Sequence, residues 1–213
     1  VIANVDPANQ QASVNINLEF PDGSTKAYSV NVAPDSQVVW NVNAVVPAPG
    51  NSVSAEITST GANIVVEREM FFKYNHVGNG RSLQSMGGTD VLGMLGPASA
   101  SNYGFAEGYV NLGFDEWLTI QNPTSNPETI NIFLVNNAGG YYSTSVTVGA
   151  HTRYTADITG MVIRSLYRSG EGFSGYEISM VVQSSGVFVV ERPMYWNAAG
   201  TQGGDDVIGY IGG

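Results

Sequence analysis

Two glutamate–arginine pairs stand inside strongly apolar runs, Glu67-Arg68 in Val65–Phe72 and Glu191-Arg192 in Val189–Trp196. A carboxyl removed from water holds its proton more tightly, so a glutamate in such a run is a candidate general acid or base. Both runs read as strands, however, and neighbours along a strand point to opposite faces. Neither pair is therefore one two-residue site. Isolated charge is costly to bury, so the structural alternative is that these charges are paired. The expected partners are Glu107, Asp115 or Asp206, fixing the approach of the leading and final segments, and the network comprises Glu67, Arg68, Asp90, Glu107, Asp115, Glu191, Arg192 and Asp206.

Other constellations point away from catalysis. His76 and His151 occupy unrelated loops, and zinc needs three or four ligands at workable spacing. Ser174 in Gly172-Phe173-Ser174-Gly175 departs from the Gly-x-Ser-x-Gly elbow, because the final glycine comes one place early. Asp115 and Glu116 are adjacent on a strand and face opposite ways, whereas a glycosidase needs two carboxyls across a cleft. Asp205 and Asp206 offer hard oxygen ligands for calcium, but the matching Gly88-Thr89-Asp90 keeps one carboxylate and no twelve-residue calcium loop is present. No cofactor is expected, calcium being the one metal these carboxylates suit. Tyr141-Tyr142, Tyr195-Trp196 and Phe71-Phe72 are candidate stacking platforms for sugar rings, with alternation placing one ring of each pair in the core. The expectation is a protein that is not an enzyme.

The elements that must position these residues are repeated. Val65-Val66-Glu67-Arg68-Glu69-Met70-Phe71-Phe72 matches Val189-Val190-Glu191-Arg192-Pro193-Met194-Tyr195-Trp196, and Gly88-Thr89-Asp90-Val91-Leu92-Gly93 matches Gly204-Asp205-Asp206-Val207-Ile208-Gly209. Asp90 to Asp206 and Val14 to Ile130 share an offset of 116 residues, and Ile2-Ala3-Asn4 answers Ile120-Gln121-Asn122. A repeated order at nearly constant spacing is the mark of duplication. Within each copy, apolar residues alternate with polar ones: Val14, Ile16, Leu18 and Phe20 share one face, Ser13, Asn15, Asn17 and Glu19 the other. Ile130, Ile132 and Leu134 repeat the pattern. Pro21-Asp22-Gly23-Ser24 and Ala138-Gly139-Gly140 supply hairpin turns, and further strands are expected near Gln37–Val42, Ser52–Thr58, Asn63–Phe72 and Asp90–Met94. Ile158–Arg168 is expected to be a loop with at most one helical turn. The predicted fold is all-β: two tandem immunoglobulin-like β-sandwich domains, 1–96 and 105–213, joined by a linker over 97–104.

Composition narrows the setting. Of 213 residues, 43% are hydrophobic, enough for packed cores, while only 12% are charged, about half the usual share. The net charge of −10 with two lysines repels phosphate, so no nucleic-acid partner and no docking on anionic lipid are expected. There is no cysteine, and no apolar run reaches the length of a membrane span. Asn-x-Ser/Thr acceptors are absent, Asn122-Pro123-Thr124 being blocked by its proline. Val1 reads as a processed or truncated end.

The first copy is short at its front. The second opens with Phe105-Ala106-Glu107-Gly108 and Gly113-Phe114-Asp115-Glu116-Trp117-Leu118-Thr119-Ile120, whereas the first begins at the equivalent of Thr119. The groove this would leave is expected to be filled from outside the chain. The source is either a preceding repeat of a longer array or another subunit adding a strand through a segment like Phe105, Phe114, Trp117 and Leu118.

These motifs, Phe-Ala-Glu-Gly, Asp-Glu-Trp-Leu-Thr-Ile-Gln-Asn-Pro, Val-Glu-Arg-Pro-Met-Tyr and Gly-Gly-Asp-Asp-Val-Ile-Gly, resemble a repeat family of secreted bacterial surface proteins of Chloroflexi and actinobacteria, a domain family of unknown function. The resemblance covers 105–213 and, without the leading motif, 1–96; Glu69 stands where the pattern has proline. It implies an extracellular location and tandem architecture, and no chemistry. The expected role is a structural unit of a filament, stalk or surface layer, with further copies as partners. An adhesin or carbohydrate-binding module, with glycan as partner, is the alternative.

Overall fold

The computed structural model describes residues 1–46, 52–77, 83–95, 102–111, 113–168 and 176–211. In the first half the strands are β1 (Ile2–Asn4), β2 (Ala12–Glu19), β3 (Thr25–Val32), β4 (Gln37–Val38), β5 (Ser54–Thr60), β6 (Ile64–Val77) and β7 (Leu83–Leu92), with a 3-10 turn at Val42–Ala44. The second half carries β8 (Asn102–Phe105), β9 (Phe114–Asn122), β10 (Glu128–Asn136), β11 (Tyr141–Val148), β12 (Thr152–Asp157), helix α1 (Ile158–Arg168), β13 (Ile178–Gln183), β14 (Val189–Ala198), β15 (Thr201–Ile208) and β16 (Tyr210–Ile211).

These strands make an all-β sandwich architecture of four antiparallel sheets. The first half has orders β4-β1-β6-β7 and β3-β2-β5; the second has β12-β9-β14-β15 and β11-β10-β13-β8-β16. Removing β8 and β16 leaves the same strand order in both halves. Period-two alternation explains the packing. Val14, Ile16 and Leu18 of β2 are buried against Ile2 and Val32, and Ile130, Ile132 and Leu134 of β10 are buried against Leu118, Ile120 and Val182. The two sets form separate hydrophobic clusters.

Three expectations are corrected. Ile158–Arg168 is a helix of 11 residues, not a loop. Asp157 Oδ1 accepts the Gly160 N–H at 2.7 Å, an N-cap that satisfies an otherwise orphaned donor, while Ile158 and Val162 are buried in the core. Of the expected linker, residues 97–101 lie outside the described residues and 102–104 already belong to β8. The strand expected at Asp90–Met94 starts at Leu83 and pairs with β6 in one long hairpin, from Glu67 opposite Leu92 to Val77 opposite Leu83.

The front of the second half is not one covering strand. β8 lies between β13 and β16, whereas β9 is central in the other sheet, pairing β14 as far as Phe114 opposite Trp196. In the first half β1 pairs β6 only over Ile64–Val66, prolonged by the Glu67 N–H donating to the Val1 carbonyl. Beyond that point, among the described residues, β6 has a strand on one side only, and β5 pairs β2 alone.

Candidate functional site

The long β6–β7 hairpin carries Arg68, Met70, Phe72 and Tyr74 on one face and Glu67, Glu69, Phe71 and Lys73 on the other, as alternation requires. The first face lies on the outer face of the β14–β15 pair. Arg68 Nη1 donates to Glu191 Oε2 at 2.8 Å, and its Nη2 bonds Asp206 Oδ2. The Asp206 side chain is 2% exposed. Burial pushes its carboxyl up to about 7, Glu191 beside it pushing the same way and Arg68 pulling back. Arg153 of β12 completes the charge set. Burial holds it below the usual arginine value, with Glu191 and Asp206 opposing that shift.

Aromatic rings extend the seam. The Tyr74 and Tyr195 rings stack at 4.4 Å, and Phe72 meets Tyr195 edge-on at 5.0 Å. The Tyr74 hydroxyl donates to Asp115 Oδ2 at 3.0 Å and accepts from Trp117 Nε1 at 3.2 Å. Burial raises the Tyr74 hydroxyl well above its ordinary value, with Asp115 adding to the shift. Close approach needs Gly204, where a Cβ would lie 2.5 Å from Phe72 Cζ. The margin is closed by Ser85 Oγ donating to the Gly203 carbonyl and by Thr89 Oγ1 donating to Asp205 Oδ1 at 3.2 Å. At the other end, fully buried Glu19 accepts from Gln121 Nε2 at 2.8 Å and lies 3.3 Å from His151 Nδ1. Burial raises the Glu19 carboxyl, and the Gln121 and His151 contacts oppose that rise. Glu19 was expected on the solvent face of β2. It is buried because the second half covers that face.

A second polar site lies inside the second half. Glu116 has no exposed surface; its Oε2 accepts the Tyr109 N–H at 3.1 Å, and Oε1 lies 3.9 Å from Arg192 Nε. The Arg192 guanidinium sits 5.7 Å from the centre of the Phe105 ring. Gly108 packs so closely that a Cβ would come 2.5 Å from Glu116 Oε2. Burial pushes the Glu116 carboxyl up to about 8, with Arg192 and the Tyr109 N–H only partly offsetting it. Glu116 Oε1 and Arg192 Nε have no hydrogen-bond partner. This sealed pair holds the leading segment to β14, and its geometry offers no exposed carboxyl to a substrate.

The expected network is thus divided. Arg68, Glu191 and Asp206 meet across the halves, and Asp115 joins the aromatic seam. Arg192 faces inward to Glu116, rather than to Glu107, Asp115 or Asp206, because Glu191 and Arg192 point opposite ways on β14. Glu67, Asp90 and Glu107 are exposed and, among the described residues, form no ion pair, so the two copies do not repeat each other's partners. Of the leading segment, Phe105 and Leu118 are buried, while Phe114 packs on Tyr109 and Trp117 turns toward Tyr74. Val65 and Phe71 point outward, at 40% and 85% exposed, so of the Phe71-Phe72 pair the first ring is the exposed one. The sequence did not single out Arg153, and it placed Glu116 and Glu19 on their strands without pointing to their partners. Glu116 had a signal, its place beside Asp115 on a strand with one face inward; Glu19 had none, because Gln121 and His151 lie in the opposite half, and Arg153 had none, because Glu191 and Asp206 are distant in sequence and Arg68 belongs to the other half.

His76's side chain and Ser174 lie outside the described residues. Among the described residues no cluster of three His, Asp or Glu side chains is placed to hold a metal ion, and no helix is long and apolar enough to cross a membrane.

No protein-family model matches the chain, and no curated protein matches it. Among solved structures it is similar to the crystal structure of Thermotoga maritima 1070, at 16% identity and TM-score 0.43, over 54% of this chain and 97% of that one. It is also similar to the Anabaena sensory rhodopsin transducer, at 18% identity and TM-score 0.34, over 43% of this chain and 93% of that one. At such identities neither speaks to what this chain does.

Proposed function

We propose that the chain is a structural repeat unit of an extracellular filament, stalk or surface layer, of the kind its motifs resemble, assembled through sheet edges and unit ends. The observation that supports this reading is the pair of open edges in the first half. Among the described residues, β5 lacks the neighbour that β8 gives β13, and β6 lacks beyond Val66 the strand that β9 gives β14 through Trp196. An unpaired edge offers a row of N–H and C=O groups to an incoming strand. The occupant is a leading segment like Phe105–Leu118, donated by a neighbouring unit.

The inner face of the β6–β7 hairpin is covered from within the chain, by β14 and β15, so strand addition completes edges rather than fills an empty core. The low charge, the Asn-, Ser- and Thr-rich surface and the absence of cysteine accord with an extracellular setting. Sedimentation velocity over a concentration series, with electron microscopy of the same material, tests the assembly. Polymer, and a rise in melting temperature on adding a peptide spanning Phe105–Leu118, are expected. A chain that stays monomeric, ignores the peptide and binds glycan would instead be an adhesin.

A further inference from the structure

The outer face of the β6–β7 hairpin matches, except for Glu69 in place of Pro193, the face on which its own inner side is docked. Residues directly opposite on antiparallel strands share a face. On β14–β15 the docked face shows Glu191 opposite Ile208, Pro193 opposite Asp206 and Tyr195 opposite Gly204. On β6–β7 the outer face shows Glu67 opposite Leu92, Glu69 opposite Asp90 and Phe71 opposite Gly88. Glu67 and Asp90 thus stand where Glu191 and Asp206 grip Arg68, and Phe71 lies over Gly88 as Tyr195 lies over Gly204. The difference is occupancy. Phe71 is 85% exposed and Leu92 58%, beside a shallow depression lined by Glu67, Glu69 and Asp90.

From this equivalence we infer that the outer face of β6–β7 receives the inner face of a β-hairpin from another unit of the same type. That hairpin carries an arginine followed four and six residues later by aromatic rings, as Arg68 is followed by Phe72 and Tyr74. The arginine bridges Glu67 and Asp90, the first ring enters over Gly88, and the second stacks on Phe71. Charge complementarity selects the occupant: the face is acidic and apolar, and Arg68 against Glu191 and Asp206 shows the cation it fits. The inner face of this chain's own β6–β7 is already taken by β14 and β15, so the donor is the corresponding hairpin of a unit whose inner face is free, not that of a second copy folded as this chain is. The inference deepens the assembly reading and rests on it, naming a second contact besides the open edges.

The probe is a backbone-cyclised hairpin peptide joining residues 66–75 to 84–91, its Arg68-to-Val91 register verified by NMR before titration into the full chain. Saturable one-to-one binding that weakens with salt is expected, with affinity lower by about tenfold or more for Asp90→Lys in the chain or Arg68→Met in the peptide. Asp90 is exposed, so that variant should keep the wild-type melting temperature. Absence of binding by the folded peptide, or binding unchanged by Asp90→Lys, would overturn the inference. If the Phe105–Leu118 peptide still binds in that case, only the hairpin contact fails; if neither binds, the assembly reading fails with it.

Discussion

Gly108 and Glu116 show how tightly single residues are specified in the second half. Glycine is needed at 108 because a Cβ would meet the buried carboxylate from 2.5 Å. Gly108→Ala should therefore destabilise the chain by about 1–3 kcal/mol, the range for overpacking a tight site, lowering the melting temperature by about 2–4 °C per kcal/mol. Calorimetry of the variant checks it. Glu116 makes the complementary case. Its folded carboxyl is pushed up to about 8 from an ordinary 4.5, so across that window the folded state holds a proton that the unfolded state releases. Its contribution to stability is present on the acid side and declines as pH rises toward 8. Glu116→Gln removes that linkage, and its melting temperature should fall less than wild type between pH 5 and pH 9. An identical pH slope would show that Glu116 is ionised throughout.

At the level of elements, equivalent positions in the two halves take different forms according to what covers them. Ile158–Arg168 is helical because Asp157 caps it and the second core receives Ile158 and Val162; among the described residues of the first half the corresponding stretch carries the 3-10 turn Val42–Ala44. Asp157→Ala leaves the Gly160 N–H without its acceptor and should cost about 1 kcal/mol, read as a fall in helical ellipticity and melting temperature. The β6–β7 hairpin makes the same point for strands. Its length and register came from β pairing, but the fate of each face came from its neighbours: one face lies on β14 and β15, the other is exposed.

For the whole molecule, the seam between the halves couples stability to pH. Asp206 is pushed up to about 7 from 3.8, so between those values the folded state again binds more protons than the unfolded. Stability should fall as pH rises through that window. Asp6 and Asp22 work in the opposite direction, held below the usual range by hydrogen bonds to neighbouring N–H and hydroxyl groups, and lose their contribution only in stronger acid. The expected profile is a maximum in mild acid with a decline toward pH 8. Asp206→Asn should flatten that decline while Arg68 keeps Glu191, and thermal melts from pH 4 to pH 9 would reveal a curve unchanged by the substitution if Asp206 is not responsible.

What was legible in the sequence was everything local or periodic. Alternation marked Val14, Ile16, Leu18 and Ile130, Ile132, Leu134 as core, turn residues placed the hairpins, and internal matches aligned Arg68 with Arg192. The opposite facing of Glu191 and Arg192 also follows from strand geometry alone. What only the tertiary structure decided was which outward face stays in water. Glu19, Asp115, Arg153 and Asp206 sit on faces that alternation assigns to solvent, yet all are drawn into the seam, because one half lies on the other. Partners separated by 123 positions, such as Arg68 and Glu191, leave no periodic trace. Alternation reports on which side of its own sheet a residue lies, and burial between sheets depends on what is later packed against that side.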